Sequence, residues 1–293
     1  MKETLFTLLN TYGGSGREDA VRETIAELAR PYCDEMRTDA LGNLICVRAG
    51  KENGRRIMVC AHMDHIGFVV LDADEHGFLR VHNAGGISKR ASLNRHVVFA
   101  NGVNGIVSNE TERFSADDNK MSDLFIDIGA KDREDALSMV ALGDVAVYAP
   151  DAFELANGMI AAPAMDDRVG CAIALEVMKE LGECENEVAF VFSVQEELGL
   201  RGARAAAYGV DPQIGVALDV TLSGDTPKGP KIAVRAGEGP CVKVRDSSLV
   251  CSPRVVKGLE EAAGRVGVKT QREVLSAGGN DAGAMQAART GVL

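Results

Sequence analysis

Apolar and polar positions along this chain follow two rhythms. Val21, Ile25, Leu28 and Ala29 recur at helical spacing, after Ser15-Gly16-Arg17-Glu18, whose Ser and Glu stand at capping-box distance. A turn at Leu41-Gly42-Asn43 feeds an apolar run ending at Val47, and residues 56–61 form a short buried strand that ends in His62-Met63-Asp64. Residues 66–71 are a further apolar run. From about 74 to 156 the texture changes to short strand-like runs (77–81, 96–99, 105–107 and 124–128) broken by Gly and Asn. Only 132–141 reads as helix there, and polar residues 108–123 read as a long surface loop. After Pro163, Val169, Ile173, Val177 and Leu181 recur every four residues as an amphipathic helix. A strand at 188–194, a helix at 198–208, strands at 214–218, 231–235 and 241–244, and a helix at 253–264 follow, and a Gly278-Gly279 turn precedes a last helix at 282–289. Strands alternating with helices predict an α/β fold with a mainly parallel central sheet flanked by helices. The β-rich stretch interrupts it. The expected organisation is one domain from 1–73 and 157–293, and an inserted small β-domain at 74–156.

Three apolar strands end in groups of the kind that bind metals. Residues 57–61 lead into His62 and Asp64, 188–194 into Glu196 and Glu197, and 214–218 into Asp219. Met165-Asp166-Asp167-Arg168 stands immediately before a helix. Sites in open α/β sheets form at the carboxyl ends of the strands, so these groups can converge on one crevice. A histidine with several carboxylates suits Zn²⁺, Co²⁺ or Mn²⁺. Paired metals, about 3.5–4 Å apart, share a bridging carboxylate and activate a water. Of Glu196 and Glu197, one could bind metal while the other handles a proton. Taken singly each group has a plainer role: a solvated Glu pair, an Asp N-cap, a turn aspartate. The combination, in sheet-compatible order, is what points to a site.

Composition removes several function classes. With 43 acidic and 32 basic residues the net charge is −11, which argues against nucleic acid or an anionic membrane as partner. Trp is absent and aromatics are 4%, so platforms for stacking bases or sugars are scarce. The 293 residues are 46% hydrophobic, enough for a large core and about two domains. Seven scattered cysteines without a CxxC pair indicate a reducing compartment, with Cys46 and Cys60 as small core residues. The N-terminus lacks a signal-peptide core and no run approaches a membrane span, so the expected location is the cytoplasm.

Seven segments together carry a specific resemblance. They are Tyr12-Gly13-Gly14-Ser15-Gly16-Arg17-Glu18, Asp39-Ala40-Leu41-Gly42-Asn43-Leu44, Ala61-His62-Met63-Asp64-His65-Ile66-Gly67-Phe68, Ala164-Met165-Asp166-Asp167-Arg168-Val169-Gly170, Val194-Gln195-Glu196-Glu197-Leu198-Gly199-Leu200-Arg201-Gly202-Ala203, Asp219-Val220-Thr221 and Ala277-Gly278-Gly279-Asn280-Asp281-Ala282. Over nearly its whole length the chain resembles the M42 metallo-aminopeptidases, the glutamyl or tetrahedral aminopeptidase group, some of them labelled endoglucanases. The resemblance implies that His62, Asp166 and Asp219 hold one divalent ion, and that Asp166 bridges to a second that Glu197 also binds. It implies Glu196 as general base, Asp64 as the residue that fixes the His62 ring, and Asp167 as the one that orients the strand-to-helix turn. The implied cofactors are two divalent metal ions, Zn or Co, with Mn as a further option. The implied partners are a peptide substrate and further copies of the chain. A homo-oligomer would form through the inserted domain, dimer-based and commonly a dodecamer.

The chain departs from the family pattern in two places. The family's remaining metal ligand is a histidine in a His-Ser-Pro context near the C-terminus, whereas all five histidines here lie within 62–96. The expectation is a truncated chain whose second metal site is incomplete. His65 stands where the family usually has Glu, as a surface residue, a spare ligand or a replacement hydrogen-bond partner. The alternatives to an aminopeptidase are a related two-metal deacylase or amidohydrolase, and a catalytically impaired assembly protein.

Overall fold

The computed structural model describes residues 1–110 and 120–293. The polar stretch read as a surface loop falls largely on 111–119, outside the described residues. The chain opens with α1 (Lys2–Leu9) and α2 (Asp19–Ala29), then β1 (Glu35–Thr38), β2 (Leu44–Arg48) and β3 (Arg56–His62). Next come β4 (Gly67–Ala73), β5 (Leu79–Ala84), α3 (Lys89–Ser92), β6 (His96–Phe99), β7 (Asn104–Asn109), β8 (Leu124–Asp127), α4 (Arg133–Met139) and β9 (Val145–Tyr148). A short hairpin, β10 (Phe153–Glu154) and β11 (Ile160–Ala161), leads into α5 (Met165–Glu180), β12 (Glu187–Ser193), α6 (Arg201–Val210) and β13 (Ile214–Ala217). The chain continues through β14 (Cys241–Arg245), α7 (Pro253–Arg265), β15 (Gln271–Val274) and α8 (Asp281–Gln286).

The central sheet has the order β1-β2-β12-β3-β13. It is mixed, which corrects the expectation of a mainly parallel sheet: β1/β2 and β2/β12 pair antiparallel, β12/β3 and β3/β13 parallel. The cause is local. Asp39 Oδ1 accepts from the amides of Leu41, Gly42 and Asn43, closing a tight reversal between β1 and β2 in which Gly42 takes φ +105°. A strand so tightly reversed returns antiparallel, and an apolar run does not encode direction. Central strand β12 is apolar from Val188 to Phe192 because both its faces are covered. Leu8, Leu9, Ile25, Leu175 and Met178 pack on one face, and Ala203, Ala207, Val210 and Met285 on the other.

Helix α5 forms as expected but turns a different face inward. Cys171, Ala174, Leu175 and Met178 are buried, while Ile173 and Val177 of the predicted stripe are 37% and 43% exposed. The helix is apolar almost all round, so a four-residue recurrence does not choose between its stripes. The strand expected at 231–235 does not form; irregular backbone with bends at Lys231 and Ala233 takes its place.

A closed barrel, β4-β5-β8-β7-β6-β9, has every pairing antiparallel. Its strands run from Gly67 to Tyr148, so it takes in β4, which the expected boundary at 74 leaves outside. Phe68, Val70, Leu79, Val81, Val97, Val107 and Ile126 fill it. Closure removes the exposed strand edges that short strands would otherwise leave. The barrel leaves the sheet directly after β3, so it stands beside the end of that strand. Among the described residues no helix is long and apolar enough to cross a membrane.

Candidate metal centre

Parallel strands β3 and β12 end side by side, with Ser193 in register with His62. That register brings the segments beyond both strands to one place, and β13 on the other flank of β3 delivers Asp219 two residues past its end. Asp166 arrives from the first turn of α5, where its peptide to Asp167 is cis. Ligand atoms of His62, Asp166 and Asp219 all lie within 4.8 Å of one another, and so do those of His62, Glu196 and Glu197. All five groups expected as ligands or base are therefore gathered around one imidazole.

The His62 ring is held from behind. Nδ1 lies 3.0 Å from the Asp64 carbonyl oxygen and 3.5 Å from Asp64 Oδ1, and Nε2 faces Asp166 Oδ1 at 2.9 Å. A neutral ring that donates from Nδ1 turns the Nε2 lone pair to the acids, the orientation a metal-binding histidine needs. Asp64 is fully buried; besides facing His62 it accepts from Ser15 Oγ at 2.6 Å and from the Glu196 and Glu197 amides at 2.9 and 3.4 Å. These contacts, against the opposing effect of burial, hold its carboxyl below the usual range.

The other acids are pushed the opposite way. Burial, with Asp281, Asp219 and Glu197 nearby, raises Glu196 to about 8. Burial, with Asp166 and Asp64, raises Glu197 to about 7. Burial and the facing Asp166 and Asp281 raise Asp219 to about 7, although its residue is solvent-exposed on the outer side. His62 is lowered by burial, but Asp166, Asp64 and Asp167 reverse this and lift it well above the ordinary value. One imidazolium among so many acids leaves them short of positive charge. Arg168 does not supply it: its buried guanidinium donates to the carbonyls of Met63 (2.8 Å), Leu8 (2.6 Å), Thr11 (3.0 Å) and Gly13 (3.4 Å). A hard donor set of one imidazole and convergent carboxylates, short of a counter-charge, fits a divalent cation.

Asp167 is buried and accepts from the Gly170 amide at 3.1 Å, which places it at the start of α5. Gly170 has no side chain because a Cβ there would meet the Asp167 carboxylate. His65 is neither a surface residue nor a ligand: it is buried, its Nδ1 has no partner, and burial and Arg168 push it down to about 3. His76, His82 and His96 are exposed on the barrel side. Four contributors escaped the sequence reading. Ser15 and Glu18 look like a capping box, yet Ser15 Oγ goes to Asp64 and Glu18 Oε1 accepts from the Gln195 amide. Asn43 looks like a turn residue, yet its Oδ1 accepts from the Val194 amide. Buried Asp281 accepts from Ser193 Oγ at 2.5 Å, with its other oxygen unpartnered. Its Gly-Gly-Asn-Asp context was the available signal.

Comparison with known proteins follows the same line. The family model for M42 glutamyl aminopeptidase matches residues 42–293. A putative aminopeptidase of Acetivibrio thermocellus is 44% identical over 99% of this chain and 88% of its own length. An aminopeptidase of the archaeon Desulfurococcus kamchatkensis superposes with a TM-score of 0.93 at 33% identity, covering 99% of this chain and 84% of that one. The TET1 peptidase of Pyrococcus horikoshii, described as able to assemble into a tetrahedron or a large octahedral shell, gives 0.82 at 32% identity, covering 97% and 87%.

Proposed function

The chain belongs to the M42 glutamyl aminopeptidase family of metal-dependent peptidases, and from that premise we propose that it removes N-terminal residues from peptides at the His62 cluster. The observation that carries this is the convergence of His62, Asp166, Asp219, Glu196 and Glu197 at the ends of β3, β12 and β13. His62, Asp166 and Asp219 would hold one divalent ion, and Asp166 with Glu197 would hold part of a second. Asp166 lies 2.9 Å from His62 Nε2 and its charge is one of those that raise Glu197, which supports a shared ligand. A divalent ion in such a site supplies a Lewis acid for the scissile carbonyl and an acidified water.

The chain's own residues do the rest. Asp64 fixes the tautomer of His62 and, by binding two amides beyond β12, aligns the glutamates with it. Glu196 would take a proton from the attacking water on a carboxylate oxygen and hand it to the departing amine nitrogen. The negative surroundings of the cluster favour a free, positively charged N-terminus over an acylated one, and this restricts cleavage to the end of the chain. The barrel would be the surface through which copies assemble, by analogy with the shells of the Pyrococcus horikoshii peptidase. Seven unpaired cysteines fit a reducing, cytoplasmic setting.

Peptides with free and with acetylated N-termini, incubated with Zn²⁺ or Co²⁺, test the reading. Free amino acids should appear from the unblocked peptides alone, and chelation should stop their release. Acetate released from the acetylated peptides, with no amino acids from the unblocked ones, would point to deacylase chemistry and overturn it.

A further inference from the structure

The turn that presents Glu196 and Glu197 is held in an uncommon way. Pairing of β12 with β3 stops at Ser193, so the sheet ladder does not hold the four residues that follow. Their amides are instead taken one after another by buried side chains. Asn43 Oδ1 accepts from Val194 N at 3.0 Å and Glu18 Oε1 from Gln195 N at 3.1 Å. Asp64 Oδ1 accepts from Glu196 N at 2.9 Å and Asp64 Oδ2 from Glu197 N at 3.4 Å. The carbonyls are satisfied from downstream: Val194 by Gly202 N (3.0 Å), Gln195 by Arg201 N (3.3 Å), and Glu196 by Gly199 N and Leu200 N (2.8 Å each).

The acceptors are themselves fixed. Glu18, Asn43 and Asp64 are 5%, 0% and 0% exposed. Asn43 Nδ2 donates to Asp39 Oδ2 at 2.6 Å and to the Gly202 carbonyl at 3.0 Å, and Glu18 Oε1 also accepts from Gly16 N at 2.7 Å. A Cβ on Gly202 would collide with Asn43 Oδ1 and the Val194 backbone, so this approach requires glycine. Gln195 sits at φ +52°, a left-handed conformation that L side chains adopt at a cost and keep only where surroundings hold it. Glu18 occupies the N-cap of α2 without its side chain capping the helix. Its buried carboxylate is thus directed away from the helix and onto the Gln195 amide.

We propose that Glu18 and Asn43 are positioning residues of the reaction: they hold the Val194–Glu197 backbone so that Glu196 and Glu197 address the His62 cluster. The catalytic half of this rests on the reading of Glu196 as the base; the backbone half does not. Their loss would let the turn swing without removing any group that touches metal or substrate, and displacement of a reacting group by about 1 Å costs about 100-fold in rate.

Amide exchange read by mass spectrometry over the peptide containing 194–197, beside steady-state kinetics of the metal-loaded enzyme, tests this. Glu18→Ala should speed exchange there by about 10- to 100-fold, the loss expected for a hydrogen bond to a charged acceptor. It should lower kcat by about the same factor at saturating metal, with KM changed by less than about two-fold. Glu18→Gln keeps an acceptor oxygen and should restore both readouts to within about three-fold of the parent. Parental exchange and kcat in Glu18→Ala would overturn the proposal, as would a Glu18→Gln variant no better than Ala. If Glu18→Ala does not fold, Glu18→Gln decides alone: near-parental exchange and kcat support the acceptor role and loss of either refutes it. Faster exchange with unchanged kcat refutes the positioning role. Normal turnover by Glu196→Gln would refute the base assignment while leaving the exchange result standing.

Discussion

Replacing Arg168 by Met removes a side chain that ties α1, the loop after it and the end of β3 together near the His62 cluster. Arg168 is fully buried, and three of its four bonds to backbone carbonyls are 3.0 Å or shorter. Hydrogen bonds from a charged donor contribute about 1.5–3 kcal/mol each, so the three amount to roughly 4.5–9 kcal/mol. Burial works against this. It pushes Arg168 down from 12.5 to about 10, a fall worth about 3.5 kcal/mol at ~1.4 kcal/mol per pH unit. The net loss on substitution by a well-fitting apolar chain is then about 1–5.5 kcal/mol, because four carbonyls remain without a donor. At about 2–4 °C per kcal/mol, differential scanning calorimetry should show the melting temperature falling by roughly 3–20 °C. Arg168→Lys, which keeps charge but not the forked geometry, should fall between the two. A melting temperature within about 2 °C of the parent would show that the network does not stabilise the fold, and the reasoning would fail.

Other consequences follow from the same geometry. Glu196, Glu197 and Asp219 have folded pKa values raised to about 8, 7 and 7, so they stabilise the metal-free fold below the unfolded carboxylate range and lose that contribution as pH rises through 7–8. Metal-free protein should therefore melt at lower temperature at about pH 8.5 than at about pH 6, and saturating Zn²⁺ should reduce the difference; a flat profile would contradict the crowding of acids. Asp166→Asn, at the proposed shared ligand, should lower metal affinity by at least about 100-fold in a competition titration. Gly170→Ala should destabilise by about 1–3 kcal/mol through collision with Asp167, although alanine in an exposed helix normally stabilises by about 1 kcal/mol. Thermal melting gives the sign, and a rise would show that Asp167 yields easily.

Part of this was legible because the chemistry is concentrated at strand ends. His62, Asp166, Glu196, Glu197 and Asp219 could be picked out since each follows an apolar run or opens a helix, where a residue's type is informative. Supporting residues were harder to see. Ser15 and Glu18 have the spacing of a helix cap, and that local motif conceals bonds to Asp64 and Gln195, which lie far along the chain. Asn43 was hidden in the same way by its turn. Strand direction escaped because β2 and β12 are equally apolar whichever way they run, and the antiparallel half of the sheet depends on the Asp39 reversal. Helix α5 was found by periodicity, but its inward face depends on small residues, Gly170 and Ala174, that carry little hydrophobic signal.

Glu196 is proposed to move protons and not to hold metal. The most direct test of that role is Glu196→Gln, with metal content and turnover of a free peptide measured on the same preparation. The expected result is parental metal content with turnover lower by about 100- to 10,000-fold. Turnover near that of the parent, or loss of metal in step with activity, would contradict it.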